Sequence, residues 1–235
     1  MVRVLLDARD FRTRSVVVTE SALAAVGDAL EALGDATPVY LVTNEVLLAT
    51  SGVRFHQGCV AVGERVRAPS VDEVLAGAGR VVLALEDVVN PDNVGGIFRN
   101  AFAFGAGGVL TTARCASPLY RKAIRTSLGA TLRIPFATLE RWPADLALAR
   151  GAGFTLAALT PDPRAHPITD LGGAIPFPER MLLLVGNEGE GLSAPALAAA
   201  DLRLRIPMIG GADSINVATA AAIALERLFE HTGGA

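Results

Sequence analysis

The sequence predicts an α/β protein: a mostly parallel sheet covered by helices on both faces, preceded by a smaller α/β layer. Three observations carry this. From residue 80 onward, short and continuously apolar runs alternate with helical patterns, as strands buried on both faces do. Residues 1–70 show the same alternation with weaker strands. The 235 residues are 51% hydrophobic and 19% charged, enough apolar mass for one core or two.

Each element of the first part has its own signal. "SVVVTE" is a β-branched run. "SALAAVGDALEALG" is an amphipathic helix with Ser21 as N-cap and Gly34 just past its end. "PVYLVT" is a second strand, Asn44 caps the short helix "EVLLATSG", and "GCVAVGER" is a third strand. "RVRAPSVDEVLAGAG" is less apolar and reads as a connection with a packing helix; Pro69 and the glycines mark a boundary. The expected division is 1–70 as a small domain, 71–79 as a linker and 80–235 as the main domain.

In the main domain, "RVVLALED" leads into the helix "PDNVGGIFRNAFAFG", where Val94, Ile97, Phe98, Ala101 and Gly105 fall on one face. "GGVLTT" follows as a strand. Ser117 and Pro118 open the helix "PLYRKAIRTSLG" and Gly129 closes it. "TLRIPFAT", "FTLAALT", "RMLLLVG" and "LRLRIPM" are further strands, and "NVATAAAIALERLFEH" is a closing alanine-rich helix.

Bulk properties remove several classes. No window reaches the ~18 uninterrupted apolar residues of a membrane span, so no membrane partner is expected. The opening "MVRVLLDARDFRTR" mixes acids with bases and lacks an apolar signal core, so a cytoplasmic location is expected. Cys59 and Cys115 lie far apart, and His56, His166 and His231 are isolated, so neither a disulfide framework nor a metal is expected. The net charge of −3 argues against a broad nonspecific nucleic-acid surface but permits local basic patches. Arg9, Arg12 and Arg14 form one cluster; Arg121, Lys122 and Arg125 form another on about one helical turn. Alone, either also reads as a solvated face.

The segment "LLLVGNEGEG" raises the chemical question. An apolar strand enters a loop with Gly186, Gly189 and Gly191, yet the loop carries Glu188 and Glu190. A pyrophosphate site is the first comparison. The spacing is G-x-x-G-x-G rather than G-x-G-x-x-G, the strand is late in the chain, and two carboxylates repel a phosphate. A nucleoside with a cation in place of phosphate fits better, since glycine lets backbone approach adenine and ribose closely. S-adenosyl-L-methionine (SAM) is such a molecule. Taken alone, the loop also reads as a tight turn with two solubilising glutamates.

Two more segments bear on the choice. "NPDNVGGIFRNAFAFG" puts Asn93 at a helix entrance and Arg99 at the edge of its apolar stripe. "LRIPMIGGADSINVATAAAIA" ends a strand, makes a Gly-Gly turn and enters a helix through Ser214, a cap candidate, and Asn216. In a parallel sheet these strand ends gather on one edge, where ligands bind.

Together the three segments resemble the three motifs of the SpoU (TrmH-type) RNA 2′-O-ribose methyltransferases of the SPOUT superfamily. The resemblance spans residues 80–231 in the family's order, and "TSLGATLRIPF", with Ser127, matches a further family segment. It implies a C-terminal deep trefoil knot, an exception to unthreaded topology, a homodimer with its active site at the interface, and SAM bound in the knot. Carried over residue by residue, Gly186, Ile206, Met208, Ile215 and Asn216 bind the cofactor. Asn93, Arg99, Glu188 and Asn216 form the catalytic set, with Ser127 near the RNA. Ile215 stands where leucine is usual. "PVYLVTNEVLLATSGVRFHQGCVAVGER" is similar to the family's ribosomal-protein-L30e-like RNA-binding domain, but the usual opening strand and helix with their Glu-Gly turn are missing, which implies a shortened domain.

The implied reaction moves a methyl group from a sulfonium to a ribose 2′-hydroxyl. The donor is already activated, so in-line positioning supplies much of the acceleration. A guanidinium stays protonated (pKa above ~12), so Arg99 reads better as a phosphate clamp that stabilises charge on the 2′-oxygen than as a simple base. Proton acceptance by a phosphate oxygen, water or a deprotonated Arg99 stays open. With RNA as partner, Arg9, Arg12, Arg14, Arg121, Lys122 and Arg125 become candidate phosphate contacts. At 5% aromatic residues no stacking platform is evident. Ribosomal RNA is the expected substrate, with tRNA, or a noncatalytic RNA-binding role, as alternatives. A nucleotide-dependent oxidoreductase fails on loop spacing and charge, and a serine hydrolase lacks G-x-S-x-G.

Overall fold

The computed structural model describes residues 1–34, 36–52, 57–209 and 214–230; His56, His231 and the expected Gly210–Gly211 turn lie outside them. The chain divides into two compact units, residues 1–68 and 69–235.

The first unit runs α1 (Val2–Leu6), β1 (Phe11–Thr19), α2 (Glu20–Glu31), β2 (Val39–Val42), α3 (Asn44–Ser51) and β3 (Cys59–Arg65). Its sheet has the order β2-β1-β3, with β1 parallel to β2 and antiparallel to β3. Strand β1 is longer than the β-branched run alone indicates. Its basic start alternates, with Thr13 buried between exposed Arg12 and Arg14, and a bulge between Thr13 and Ser15 shifts the pairing with β3. Val16 and Val18 pack on Ala22 and Leu30 of α2. Two caps differ from expectation. Helix α2 starts one residue before Ser21, with Thr19 as N-cap, and the Thr43 side chain rather than Asn44 accepts the Val46 N–H that caps α3.

The second unit contains α4 (Val71–Gly77), β4 (Val81–Leu85), α5 (Pro91–Ala103), β5 (Gly108–Thr112), α6 (Arg121–Thr126), β6 (Phe136–Leu139), α7 (Leu146–Gly151), β7 (Thr155–Leu159), β8 (His166–Pro167), β9 (Met181–Val185), α8 (Ala194–Ala199), β10 (Leu202–Arg205) and α9 (Val217–Glu230). The stretch 71–79 is more than a linker. A Ser70–Glu73 capping box starts α4, and Val74 and Leu75 are buried in this unit's core.

All seven strands pair in parallel in the order β6-β5-β4-β9-β7-β10-β8. Every residue of β4, β5 and β9 is buried, which is why these runs are apolar without alternation. Leu83, Leu85, Leu183 and Val185 face α5 and α9, while Val82, Ala84, Leu182 and Leu184 face α4, α7 and α8. Val94, Ile97, Phe98 and Ala101 form the buried stripe of α5; Gly105 lies past its end, exposed and left-handed. Gly95 is a packing requirement, since a Cβ there would lie 2.7 Å from the Ala123 carbonyl oxygen of α6.

Two boundaries differ from the sequence reading. Residues Ser117–Tyr120 form a turn, closed by the Tyr120 N–H on the Ser117 carbonyl, so α6 begins only at Arg121. "TLRIPFAT" splits into a 3₁₀ turn at Ala130–Leu132 and a strand that starts after Pro135, because proline cannot donate to the ladder. Among the described residues no helix is long and apolar enough to cross a membrane, and no three His, Cys, Asp or Glu residues converge as a metal site.

Candidate active site

The loops leaving the C-terminal ends of β4, β7, β9 and β10 meet at one edge of the sheet. Gly186 ends β9 under a severe constraint: a Cβ there would lie 2.2 Å from the Gly191 carbonyl carbon and 2.3 Å from Leu192 N. The absence of a side chain lets the loop double back, and Asn187 and Gly191 exchange backbone hydrogen bonds of 3.1 and 3.0 Å. Gly191 itself has φ +72°, which favours glycine. The Asn187 side chain organises what lies between. Its Oδ1 accepts from the Gly189 and Glu190 amides at 2.8 and 3.2 Å, and its Nδ2 donates to the Asp87 carbonyl at 2.8 Å.

This folding aims Glu188 at the entrance of α5. Glu188 Oε1 accepts from the Asn90 N–H at 3.1 Å and from Asn93 Nδ2 at 2.9 Å, while Oε2 accepts from Val89 N at 3.4 Å. Burial pushes the Glu188 carboxyl up, but the Asn93 amide and the backbone N–H groups outweigh it and hold the pKa below the ordinary glutamate value. Asn93, only 8% exposed, passes the chain on: its Oδ1 accepts from Asn216 Nδ2 at 2.9 Å. Asn216 Oδ1 in turn accepts from the Ala218 and Thr219 amides, so Asn216, not Ser214, caps α9. At α5 the cap is Asn90, whose side chain accepts from Asp92 N.

Beside this chain of bonds lies a cavity of about 590 Å³, within the roughly 300–1,000 Å³ of small-molecule sites. All five residues carried over for the cofactor, Gly186, Ile206, Met208, Ile215 and Asn216, line it. Leu159, Thr160, Leu192 and Leu197 add walls that the sequence reading did not name. Its described lining includes Glu188 and Glu190 and no lysine, arginine or histidine.

A family model for the SpoU rRNA Methylase family matches residues 80–226. The chain belongs to that family. An uncharacterized tRNA/rRNA methyltransferase of Mycobacterium bovis is 41% identical over 224 residues, 95% of this chain and 76% of that one. The AdoMet-bound rRNA methyltransferase of Sinorhizobium meliloti superposes with a TM-score of 0.82 at 25% identity, covering 97% of this chain and 85% of that one. A solved RNA 2′-O ribose methyltransferase gives 0.77 at 25% identity over 98% and 85% of the two chains.

Within this SpoU chain, Asn93, Glu188 and Asn216 converge and Arg99 does not join them. Arg99 lies six residues further along α5, about 240° round and about 9 Å along the axis from Asn93. It is exposed and does not line the cavity. Ser127 is 2% exposed, and its hydroxyl donates to the Ile124 carbonyl at 3.0 Å inside the turn after α6; it is packed away from the surface on which an RNA contact was expected. Arg121, Lys122 and Arg125 are exposed, and Lys122 pairs with Asp92 at 2.7 Å. Arg9, Arg12 and Arg14 are exposed in the first unit, with Arg14 paired to Glu64 at 3.0 Å.

The sequence reading missed Asn187, although an asparagine ahead of a glycine turn is the residue type that bonds its own backbone two residues on. It also missed Glu86. This carboxylate is 5% exposed, accepts the Trp142 indole N–H and the Ser193 N–H, and so ties the end of β4 to the start of α8. An acid at the end of "RVVLALE" gives no sequence sign that it is buried.

Proposed function

We propose that this chain is a SAM-dependent RNA methyltransferase acting on a ribose 2′-hydroxyl of ribosomal RNA, as a cytoplasmic homodimer that completes its site across the interface. The observation that carries the cofactor assignment is a glycine-walled cavity whose described lining includes Glu188 and Glu190 and no cation. Such a lining repels a pyrophosphate and suits a nucleoside bearing a sulfonium. Gly186 and the Ile206–Met208 segment would hold the nucleoside against the backbone, with Ile215 and Asn216 closing the other side. When bound, SAM supplies an activated methyl group.

The residues themselves do three things. Glu188, whose carboxylate is favoured by the Asn93 amide and backbone N–H groups, acts as an acceptor that holds the loop onto α5. Asn93 and Asn216 position: their mutual bond joins the α5 entrance, the acidic loop and the α9 entrance. Arg99 clamps the phosphate next to the acceptor ribose and stabilises negative charge on the 2′-oxygen. Because Arg99 lies off the cavity of its own chain, it serves the cavity of the partner subunit. The homodimer follows from the family resemblance, and the exposed position of Arg99 is consistent with it.

The 2′-hydroxyl is supported by the likeness to a solved RNA 2′-O ribose methyltransferase. Ribosomal RNA is supported by an rRNA methyltransferase that aligns over 97% of the chain, both units included. The first unit serves as the small L30e-like RNA-binding domain, with Arg9, Arg12 and Arg14 as phosphate contacts; Arg121, Lys122 and Arg125 are the phosphate contacts of the second unit. The deep trefoil knot belongs to the same reading. Its support is family membership and the placing of late strands β9 and β10 inside the sheet rather than at its edges. Calorimetric titration of SAM, together with mapping of 2′-O-methyl sites in total RNA with and without the protein, tests the proposal. Binding of SAM and loss of a discrete rRNA site support it; absence of SAM binding, or methylation of a base, overturns it.

A further inference from the structure

Residues 93–139 contain six cations, Arg99, Arg114, Arg121, Lys122, Arg125 and Arg133, and no carboxylate, in a chain of net charge −3. Within that acid-free stretch one aromatic side chain stands out. Tyr120 is 58% exposed, and its phenol makes no hydrogen bond or ring contact among the described residues. An exposed phenol ring between basic residues has no packing role, yet its backbone is held in place. The Tyr120 N–H donates to the Ser117 carbonyl, and the Ala116 N–H to the Val88 carbonyl at 2.9 Å. Val88 directly precedes Val89 and Asn90, whose amides hold Glu188. On the other side, Lys122 binds Asp92, the neighbour of Asn93. Tyr120 is therefore tethered from both directions to the Asn93–Glu188 pair.

We propose that Tyr120, flanked by Arg121 and Arg125, is a stacking platform for a nucleobase of single-stranded RNA beside the acceptor ribose; this rests on the RNA reading above. Every base offers a π-face to an aromatic ring, and neighbouring cations track the phosphates. The 5% aromatic content conceals such a platform because one ring suffices when cations follow it closely in the chain. A second copy of this chain is the competing occupant of an exposed tyrosine, but two such basic faces repel one another, whereas RNA is attracted.

The test is fluorescence anisotropy of the full chain with a labelled, unstructured oligoribonucleotide and with an abasic version of the same backbone. Tyr120→Ala should weaken binding of the first about tenfold and leave binding of the second and calorimetric SAM affinity unchanged. Tyr120→Phe and Tyr120→Trp should bind as the wild type does. The slope of log Kd against log salt should be unchanged by Tyr120→Ala and reduced by about one in Arg125→Ala. Unaltered affinity in Tyr120→Ala, failure of Tyr120→Phe to bind, or a shift in sedimentation that accounts for the loss would each overturn the platform while SAM and RNA binding by the wild type stand. A wild-type chain that binds neither SAM nor RNA would overturn the function itself.

Discussion

Asn93 donates its side-chain amide to Glu188 across 2.9 Å, and since a carboxylate only accepts, this bond fixes which way the Asn93 amide faces. The Asn93 oxygen then points at Asn216 and receives its amide, and the Asn216 oxygen is left to cap α9. One charge at Glu188 thereby sets the polarity of a chain of bonds that ends at the positive end of a helix. Side chains thereby link three segments distant in sequence beyond the backbone pairing of β4 and β9.

Asn93→Ala cuts this chain in the middle. Loss of a donor to a charged, part-buried acceptor is expected to cost about 1–3 kcal/mol of stability, which leaves the fold intact. Methyl transfer should fall by about 10²-fold or more, because misplacement of reacting groups by an ångström has that effect. Thermal unfolding and incorporation of labelled methyl from SAM into RNA check the two halves. A variant with near-normal turnover would remove Asn93 from the site.

Much of this was legible beforehand, and what was not has physical causes. The parallel sheet could be read because β4 and β9 are buried on both faces and hence apolar throughout. Gly186 stood out because glycine is needed where backbone meets backbone, as Gly186 meets Gly191; Ile206, Met208, Ile215 and Asn216 were reached as cofactor residues only through the family resemblance. Caps were harder. Ser21, Asn44 and Ser214 are good cap residues by type, but Thr19, Thr43 and Asn216 hold those positions, and type alone does not choose between neighbours. Burial of polar groups left no sign at all: Ser127 and Glu86 have residue types common on surfaces, and only tertiary partners reveal why they are inside.

Gly186→Ala should be the most damaging single-methyl change at the site. The added carbon meets backbone at 2.2–2.5 Å on the Gly191–Leu192 side, so no side-chain rotation relieves it. Overpacking of this kind costs about 1–3 kcal/mol, and the opened turn should lose SAM affinity in calorimetry. Gly189→Ala is the control. Its nearest neighbour is the Asn187 Oδ1 at 3.4 Å, and both stability and SAM binding should change little. Equal behaviour of the two variants would contradict the close approach as the reason for Gly186.

Glu188 makes stability depend on acid pH in a defined direction. Its folded pKa lies below the ordinary 4.5, since hydrogen bonds outweigh the upward push of burial. A group depressed on folding contributes stability that is fully present above its unfolded pKa and is lost as pH falls through the folded value. Glu188→Gln should therefore melt below the wild type at neutral pH, with the gap narrowing as pH drops below about 4.3. Comparing variant with wild type cancels Asp28, Asp92, Asp145 and Asp162, which are also depressed. A gap independent of pH would reject the hydrogen-bonded carboxylate.

Arg99 separates a site built within one chain from a site shared between two. Its exposure and its absence from the cavity lining predict that Arg99→Ala folds normally and binds SAM as the wild type does, yet fails to transfer methyl groups. Glu188→Ala should also be inactive, for loss of the loop anchor on α5. If Arg99 reaches the partner's cavity, mixing the two inactive variants through an unfolding and refolding step generates heterodimers with one intact site. Random pairing makes half the dimers mixed, with one of two sites whole, so roughly a quarter of wild-type activity should return. Were Arg99 to act on its own chain's cavity, both sites of every heterodimer would carry a defect and no activity would reappear. The outcome is decided by where a single guanidinium lies relative to Asn93, about 240° away round α5.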